Sequence, residues 1–420
     1  MRFSPDSTAL RGLPNDSNPV VRIAFSANGR LLAGSAFYGG VWRVYLWDTL
    51  TRQLAGPPLD GHGGAAPHLA FSPDGRLLGI TDRETTYLRS MANGQPVGLA
   101  ADWTTAWQWK KVLFSPNGYL MATLSDATRM TGFAVTQVRF WNTATLAPLG
   151  QPVKVDFLGS GSSTGFSPDA RFLLAGTETD VLLRDMTAPA PAFQRLRGYR
   201  GAPGKCSFSA DGLLLAVENA QGADAFVIDT ATRRPLEGLR YGPWLTRLEF
   251  APAGRVLAAA FAQPGRGGSA GGSPGTAGID LLAPGGPPPT GRTRLGGFSS
   301  PTDGLVFSAD GQFLAASADL QGKPGSQLVS IWHTGTGQAG APLDLPGPVT
   351  MRFSPDTRFF AASCSDQSVR LWDVTGSRPP ATFGGPAAIP GQRRRDIAFS
   401  PAGRLLAATS PAGVLLWDLP

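Results

Sequence analysis

The sequence has little charge and almost no cysteine, and each scarcity excludes a class of protein. Only 16% of the 420 residues are charged, so the chain is not a charged disordered polymer. Its two cysteines, Cys206 and Cys364, form neither a disulfide framework nor a metal-ligand pattern, so we expect a reducing, cytoplasmic compartment. Apolar runs are short, and Pro5 and Asp6 interrupt the N-terminal segment. We therefore expect neither a membrane span nor a signal peptide.

Glycine and proline are abundant instead, with 54 and 37 residues. Such a composition is typical of many short strands joined by tight turns. A chain of 420 residues is also long enough to bury a large core without disulfides. Arginine outnumbers lysine by 32 to 5, a bias that indicates a GC-rich, bacterial coding sequence rather than selection for one ligand.

One motif recurs nine times along the chain, about every 47 residues. Residues 71–78 read FSPDGRLL, and variants of this motif fill the other eight positions. The spacing is close to the roughly 40 to 45 residues of a four-stranded propeller blade. The nine motifs begin at Phe25, Phe71, Phe114, Phe166, Phe208, Phe250, Phe307, Phe353 and Phe399.

The local chemistry of each motif predicts a β-hairpin. Ser72-Pro73-Asp74-Gly75 places proline where φ is already near −65° and glycine where a positive φ is tolerated, so the chain turns tightly. Alternating apolar residues come before the turn and an apolar run follows it, as expected for two paired strands. A third strand often ends in tryptophan, as in VRLWD at 369–373, and a Gly/Pro-rich fourth strand leads to the next motif.

These nine copies resemble the WD-repeat β-propeller family over essentially the whole chain. The resemblance implies an all-β fold, with residues 1–420 forming a single closed propeller of four-stranded antiparallel blades. The repeat count predicts nine blades, and eight blades with one displaced unit is the alternative. The family's tetrad of His, Ser or Thr, Asp and Trp is complete in no blade. Trp is replaced by Arg89, Arg184, Ile228 and Leu282 in blades two, four, five and six, which implies a divergent, bacterial-type member.

The last repeat stops after its third strand, which leaves that blade without an outer strand. Residues 9–13 (ALRGL) resemble an outer strand such as 194–199 (QRLRGY). We therefore expect residues 1–19 to supply a closing strand and the lead-in to the first blade. Residues 264–278 (PGRGGSAGGSPGTAG) show no periodicity and are predicted to be a flexible loop insertion.

The residues that could carry catalysis are sparse, so we predict no enzyme, no metal and no cofactor. His62 and His68 lie near blade two and His333 in blade seven, which is no metal-ligand spacing. Most aspartates fall in hairpin turns or at strand ends, where a structural role is expected. There is neither a phosphate loop nor a nucleophile elbow. A propeller hydrolase or lyase with an active site at the channel mouth is the least favoured alternative.

Positive charge is concentrated in two stretches that contain no acidic residue, 192–205 and 378–395. The arginines of the hairpin turns form no basic ring, because turn aspartates offset them. Two interpretations of these stretches are open. Their arginines are either simply solvated at the surface, or they bind nucleic acid or an acidic partner. The basic residues are Arg195, Arg197, Arg200, Lys205, Arg378, Arg393, Arg394 and Arg395.

Several aromatic residues fall outside the repeat pattern, in connectors that open on one face. Exposed aromatics on a rigid rim are common binding hot spots, although they could equally cap blade cores that lack a tetrad. The predicted partner-binding residues are His62, Trp103, Trp107, Tyr199, Tyr241 and Trp244.

The sequence therefore predicts a non-catalytic scaffold that binds partner proteins on a rigid propeller face, as a monomer or as a subunit of a complex. The alternative is a module associated with nucleic acid or an acidic partner through the two arginine-rich stretches. We expect no membrane association.

Overall fold

The structure is a computed structural model of the 420-residue chain. It describes residues 8–10, 20, 22–62, 67–81, 86–92, 96–97, 107–128, 134–156, 163–188, 191–199, 203–219, 225–241, 245–263, 276–283, 293–298, 300–347, 349–376, 380–383, 396–410 and 413–420. Within these ranges the chain forms β-strands and no helix.

The strands follow the repeat. The N-terminal strand is β1 (Thr8–Ala9), and the first three blades are β2 (Arg22–Phe25), β3 (Leu31–Tyr38), β4 (Val41–Asp48), β5 (Gln53–Leu54) and β6 (Leu59–His62); β7 (His68–Phe71), β8 (Leu77–Thr81), β9 (Thr86–Ser90) and β10 (Pro96–Val97); and β11 (Trp107–Phe114), β12 (Leu120–Thr128), β13 (Ala134–Asn142) and β14 (Val153–Asp156).

The next three blades have the same plan. They are β15 (Thr164–Phe166), β16 (Phe172–Gly176), β17 (Val181–Asp185) and β18 (Phe193–Arg195); β19 (Pro203–Phe208), β20 (Leu214–Asn219), β21 (Ala225–Asp229) and β22 (Arg234–Tyr241); and β23 (Leu245–Phe250), β24 (Leu257–Gln263), β25 (Thr276–Leu282) and β26 (Thr293–Phe298).

The last three blades complete the chain. They are β27 (Thr302–Phe307), β28 (Phe313–Asp319), β29 (Ser326–His333) and β30 (Leu343–Pro346); β31 (Thr350–Phe353), β32 (Phe359–Ser363), β33 (Val369–Asp373) and β34 (Ala381–Phe383); and β35 (Ile397–Phe399), β36 (Leu405–Ser410) and β37 (Gly413–Asp418).

Nine antiparallel sheets form, one for each motif. In blades two to eight each strand pairs with the next along the chain, and in blade one the outer strand is divided because β5 and β6 both pair with β4. The first strands of successive blades contact each other, for example β2 with β7 and β19 with β23. The nine-blade prediction is confirmed, and the eight-blade alternative is wrong.

The chain divides into two compact units. One unit is Met1–Leu158, Ser354–Ser363 and Gln367–Pro420, and the other is Gly159–Phe353 and Cys364–Asp366. The first therefore contains blades nine, one, two and three, and the second contains blades four to seven.

The hairpin turn is held by its own side chains. In blade two, the Ser72 hydroxyl donates to Asp74 Oδ1 at 2.5 Å and accepts the Leu77 N–H at 3.0 Å, while Asp74 Oδ1 also accepts the Arg76 N–H at 3.0 Å. Gly75 has a φ of 70°, the left-handed region that favours glycine. The predicted turn is thus confirmed, and the aspartates act as turn residues.

The register across each blade is equally regular. The seventh residue after the motif phenylalanine always pairs with the position where the family places tryptophan. This register confirms the four predicted replacements of that tryptophan. The pairs are Leu32–Trp47, Leu78–Arg89, Met121–Trp141, Leu173–Arg184, Leu215–Ile228, Leu257–Leu282, Leu314–Trp332, Phe360–Trp372 and Leu406–Trp417.

The N-terminal closing strand is confirmed. Thr8 and Ala9 pair with Leu416 and Leu415 of β37, so β1 becomes the outer strand of blade nine. The Leu10 N–H continues the ladder to the Val414 carbonyl at 2.9 Å. The Leu10 side chain is 2% exposed and joins an apolar cluster with residues of blades one and nine. The remaining residues of the predicted closing strand and lead-in, 1–7 and 11–19, lie outside the described part of the chain.

One loop boundary needs correction. We predicted a loop over residues 264–278, but Thr276–Gly278 already belong to β25, where Gly278 pairs with Phe261 and Thr276 with Gln263. The glycine-rich composition hid the strand, since glycine and alanine carry no apolar periodicity. Residues 264–275 lie outside the described part of the chain.

Candidate interaction site

One position in or next to the first strand of each blade is often basic. This lead position, the third residue before the motif phenylalanine, is basic in five of the nine blades. Arg22, His68, Lys205 and Arg247 are exposed there and Lys111 is partly buried. The nine lead residues are Arg22, His68, Lys111, Ser163, Lys205, Arg247, Gly304, Thr350 and Asp396.

The two short polar lead residues bind the backbone of the next blade. Ser163 Oγ accepts the Cys206 N–H at 2.9 Å and donates to the Gly204 carbonyl at 3.1 Å. Asp396 Oδ2 accepts the Ile23 N–H at 3.3 Å. These side chains bind backbone N–H and carbonyl groups of the first strands on the side that faces away from the second strand, where no strand pairs with them.

The second unit contains a cleft of about 620 Å³ at the beginnings of the first strands of blades five, six and seven. The exposed charged residues that line the cleft include two cations, Lys205 and Arg247, and one anion, Asp303. The lining residues are Gly204, Lys205, Glu218, Asn219, Leu245, Thr246, Arg247, Asp303, Gly304 and Leu305.

Glu218 forms the buried wall of this cleft. Its side chain is 8% exposed, and its two oxygens accept the Leu248 N–H at 2.5 Å and the Lys205 N–H at 3.4 Å. Burial raises the pKa of Glu218 above its usual range, and these hydrogen bonds, with Arg247 and Lys205 nearby, oppose that shift. Because both oxygens are engaged by backbone, the carboxylate joins blade five to blade six.

Arg247 and Asp303 face solvent at the mouth of the cleft. The Arg247 guanidinium donates to the Thr246 and Asp303 carbonyl oxygens at 3.2 and 3.4 Å. Asp303 Oδ2 accepts from Gln327 Nε2 at 2.8 Å, and Gln327 Oε1 in turn accepts the Val349 N–H at 3.1 Å. Burial and the nearby Asp319 carboxylate raise the pKa of Asp303. At the mouth of the cleft, the Arg247 cation and the Asp303 anion are therefore connected by hydrogen bonds that also include Gln327.

The first unit carries a second group of lead residues, on blades one to three. Arg22 and His68 each begin their strand, and Lys111 lies on β11. Burial lowers the pKa of His68, and the charges of Arg22 and Lys111 lower it further. Burial also lowers the pKa of Lys111. Arg22 and Lys111 thus each lie close enough to His68 to disfavour its charged form.

Arginines in the hairpin turns, by contrast, are paired with carboxylates. Arg30 lies 3.2 Å from Asp48, Arg171 lies 3.0 Å from Asp185, and Arg255 lies 2.6 Å from Asp211. Their charge is therefore offset locally, in agreement with the expectation that these turns form no basic ring.

The predicted aromatic site is only partly described, and three of its members need correction. Trp107 begins strand β11 and Tyr241 ends strand β22, so neither lies in a connector. Tyr199 is 3% exposed, donates its hydroxyl to the Glu218 carbonyl at 3.4 Å, and packs edge-on against Phe226 at 5.7 Å. It therefore caps a blade core and is not part of an exposed rim.

The other members of the aromatic site remain predictions. Trp103 and Trp244 lie outside the described residues. His62 ends strand β6, where its backbone pairs with Trp42.

The first arginine-rich stretch contains no acidic residue, but acidic side chains from elsewhere in the chain lie close to two of its basic residues. Arg195 Nη1 lies 3.2 Å from Asp180, and Lys205 Nζ lies 2.6 Å from Glu249. Arg197 is exposed. Arg200 and the whole basic set of the second stretch, Arg378, Arg393, Arg394 and Arg395, lie outside the described residues. Two of the four basic residues of this stretch, Arg195 and Lys205, therefore have an acidic partner elsewhere in the chain.

Cys206 and Cys364 are not in disulfides, and both serve as packing residues. Cys364 is fully buried, and burial raises the pKa of Cys206 to about 12. In the part of the chain that the structure describes, no three His, Cys, Asp or Glu side chains are grouped to hold a metal ion. The same residues include no helix long and apolar enough to cross a membrane.

Sequence reasoning did not single out the lead position, Glu218 or Asp303. The lead position could have been found by extending the alignment of the nine motifs three residues upstream. Glu218 and Asp303 carry no such signal, because each occurs in one blade only and acts through contacts with the next blade or with a later strand.

Comparison with known proteins agrees with this architecture. The family model described as "WD domain, G-beta repeat" matches residues 344–373, which run from β30 to the end of β33. No curated protein matches the chain.

Two solved structures are similar to the chain in fold. One is described as the crystal structure of the eukaryotic initiation factor; it has 14% identity and a TM-score of 0.61, with 89% of this chain and 91% of that chain covered. The other is dipeptidyl peptidase 4 of Porphyromonas gingivalis, with 12% identity and a TM-score of 0.56, covering 84% of this chain and 57% of that chain. At such identities the likeness concerns the fold alone.

Nine antiparallel blades, each built on one hairpin motif, define a β-propeller. The family match covers the outer strand of blade seven and the first three strands of blade eight, and the same motif and register recur in the other blades, which supports a WD-repeat propeller. Folds of this class commonly act as interaction scaffolds.

Proposed function

We propose that this protein is a non-catalytic scaffold that binds a partner protein at the beginnings of the first strands of its blades. The observation that carries the proposal is the cleft of blades five to seven, where Arg247 and Asp303 present opposite charges at the mouth. Rigid strands hold both groups, so little conformational entropy is lost when a partner binds.

The geometry of the cleft favours binding over chemistry. A general acid or base must reach the proton that it transfers, but both oxygens of Glu218 already accept backbone N–H groups. An oxygen of Asp303 is likewise engaged by Gln327. We therefore propose no catalytic step, and a propeller hydrolase or lyase is the less favoured function.

The nucleic-acid alternative depends on the arginine-rich stretches. Ion pairs of Arg195 with Asp180 and of Lys205 with Glu249 reduce the positive charge of the first stretch. Binding to a phosphate backbone requires uncompensated cations, so this function is proposed only as the rival. A cytoplasmic location is also proposed, supported by the two free thiols, and fractionation of the native cell tests it.

The test is purification of the tagged protein from its native cell, with and without nuclease, followed by identification of stoichiometric partners. We expect a nuclease-resistant protein partner that is lost in the variants Arg247→Glu and Asp303→Arg. Arg352→Glu is the matched control, because Arg352 is also exposed on a first strand and donates to a neighbouring carbonyl, that of Met351, at 3.1 Å.

Two results would contradict the proposal. Nuclease-sensitive recovery would support the nucleic-acid rival. A clean protein with no partner would favour an enzyme and justify a substrate screen.

A further inference from the structure

A second cavity, of about 620 Å³, opens where the hairpin turns of blades nine and one meet. The two turns pack closely, since a Cβ added at Gly29 would lie 3.4 Å from Pro401 Cδ and 3.6 Å from Ser400 Cβ. Both blades belong to the first compact unit, and the volume is typical of a ligand pocket. This turn cavity is lined by apolar and charged side chains, among them Leu50, Leu419, Arg30, Arg52, Arg404 and Asp418.

Leu50 places a large apolar side chain at the turn cavity where the repeat does not require one. It is the second residue after Asp48, the last residue of β4, and it is 77% exposed. The equivalent residue is alanine, threonine, glycine or proline in every other blade. Asp48 Oδ1 accepts the N–H groups of Leu50 and Thr51 at 2.9 Å each. The backbone that carries Leu50 is therefore already ordered, so it loses little conformational entropy when a partner binds.

Arg404 supplies a cation whose surroundings differ from those of other turn arginines. In blades one, four and eight, the turn arginine lies close to the aspartate that ends the third strand of its own blade. These pairs are Arg30–Asp48 at 3.2 Å, Arg171–Asp185 at 3.0 Å and Arg358–Asp373 at 3.9 Å. The equivalent aspartate of blade nine, Asp418, instead forms an ion pair with Arg52 of blade one. Among the residues that the structure describes, the exposed Arg404 is therefore left without a carboxylate partner.

Acidic residues of the hairpin turns do not offset Arg404 either. The blade-nine turn has Ala402, whereas the equivalent Asp74 of blade two lies 3.8 Å from Arg76. Asp356 of the blade-eight turn lies beside the blade-nine turn, but its Oδ1 accepts a backbone N–H of its own turn at 3.2 Å. The turn cavity thus combines exposed apolar surface with one cation that no described carboxylate neutralises.

We propose that the turn cavity docks a short segment of a partner protein in which an acidic residue adjoins a large apolar residue. The apolar side chain packs against Leu50 and Leu419, and the carboxylate binds the Arg404 guanidinium. One acidic residue suffices, because Arg30 and Arg52 already have carboxylate partners.

A polyanion such as a nucleic acid fits the turn cavity less well. Asp418 is 67% exposed at the same cavity and repels further negative charge, while phosphate gains nothing from the Leu50 side chain. The turn cavity lies at the turn ends of the strands, and the cleft of blades five to seven lies at the beginnings of the first strands. The inference therefore goes beyond the proposed function, and its test does not depend on Arg247 or Asp303.

The direct test is a selection from a phage library of random twelve-residue peptides on the immobilised full chain. The library is first depleted on the double variant Leu50→Ser, Arg404→Glu, so that peptides bound elsewhere are removed. We expect the enriched peptides to share Asp or Glu beside Leu, Ile, Phe or Trp. The most enriched peptide is then synthesised with a fluorescein label, and its affinity is measured by fluorescence anisotropy. We expect Leu50→Ser and Arg404→Glu each to weaken binding about tenfold or more, as for a hot-spot contact.

Each variant has a matched control elsewhere in the repeat. Arg76→Glu makes the same charge reversal at the equivalent turn position of blade two, where the side chain is 83% exposed. Tyr119→Ser removes another large side chain, which is 71% exposed in the turn of blade three. We expect both controls to bind the peptide as the parent protein does. Because Leu50 and Arg404 are exposed, their variants should keep the parent melting temperature.

A charge placed beside Arg404 gives a second readout. Ala402→Asp adds the acidic residue that Asp74 provides in blade two, 3.8 Å from its arginine, whereas Ala402→Asn has nearly the same shape without the charge. We expect Ala402→Asp to weaken peptide binding more than Ala402→Asn, and the difference to shrink as salt is added. Equal binding by the two variants would contradict the role given to Arg404.

Other outcomes also overturn the proposal. It fails if no peptide is enriched after depletion, if the enriched peptides carry no acidic residue, or if Arg76→Glu weakens binding as much as Arg404→Glu. It fails if a twelve-residue oligothymidylate binds more tightly than the peptide and depends on Arg404, because the site then serves phosphate. A dimer in analytical ultracentrifugation that Leu50→Ser dissociates would assign the turn cavity to a second copy of the chain instead.

Discussion

The tryptophan near the end of the third strand is buried in several blades, but its indole N–H is not hydrogen-bonded in the same way in each. The indole of Trp141 donates to Thr123 Oγ1 at 3.0 Å, with both side chains buried. Trp417 is equally buried, yet its Nε1 has no hydrogen-bond partner among the described residues. Trp417 instead packs in an apolar cluster, where the Phe383 ring lies 5.1 Å from it between ring centroids.

This difference predicts unequal effects of one substitution. Trp141→Phe leaves the Thr123 hydroxyl without its donor, whereas Trp417→Phe removes a group that has no partner. We expect Trp141→Phe to lower the free energy of unfolding by about 1–3 kcal/mol more than Trp417→Phe. Urea unfolding of the two variants measures the difference, and equal losses would contradict the assigned role of the hydrogen bond.

Glu218 predicts a pH dependence of stability. Its folded-state pKa is raised by burial, above an unfolded value of about 4.3. Such a group contributes stability below the unfolded pKa and loses it as pH rises through the folded pKa. Glu218→Gln has no such titration, so its stability relative to the parent protein should increase from pH 4 to pH 8. A difference that stays flat, or moves the other way, would refute the raised pKa.

At the scale of an element, the hairpin turn is the unit that repeats most faithfully. Ser209 and Asp211 make the same hydrogen bonds as Ser72 and Asp74, at 2.6 Å between the side chains. Blade nine has Ser400 but Ala402 in place of the acceptor. Its turn therefore has the same backbone path with one side-chain acceptor fewer.

Adding that acceptor should stabilise blade nine. Ala402 is exposed, so Ala402→Asp can accept from the Ser400 hydroxyl and the Arg404 N–H without crowding the core. We expect a gain of about 1 kcal/mol in unfolding free energy, and a loss of similar size for Asp310→Ala in blade seven. Ala402→Asn is the uncharged control, because Asn28 and Asn117 fill this role elsewhere. If neither Ala402 variant gains stability, the turn network contributes nothing measurable.

Most of the strands and turns could be predicted from the sequence, because each hairpin depends on residues that are close together along the chain. A turn of Ser, Pro, Asp and Gly determines its own backbone path, so nine motifs were enough to predict nine hairpins. Trp107 and Tyr241 were misplaced because strand ends depend on pairing with distant residues. The ion pairs of Arg195 and Lys205 could not be predicted, because their partners Asp180 and Glu249 lie outside the stretch in sequence.

At the scale of the whole molecule, the first and last parts of the chain complete one sheet. Strand β1 supplies the outer edge of blade nine, and Leu10 packs with Val20 and Trp47 as well as with Leu416. Blades nine and one are therefore joined through a shared core in addition to the hydrogen-bond ladder.

This joint predicts a strong effect of a small change. Leu10→Ala should lower the free energy of unfolding by about 2–5 kcal/mol, since a buried leucine is lost from a packed cluster. Leu50→Ala is the control and should have little effect, because Leu50 is 77% exposed. Deleting residues 1–18 should lower the melting temperature sharply, and an unchanged melt would show that β1 does not hold blade nine.

The pairing of β1 with β37 also has a consequence for synthesis. Translation delivers Thr8 about 400 residues before its partner Leu416, and at 5–20 residues per second this is a wait of roughly 20 to 80 s. During that time Leu10 has no β37 to cover it, and the edge of β1 is open to other chains on the ribosome. Blade nine is therefore completed only after β37 has been synthesised, so β1 waits for its partner while all the blades between them are made.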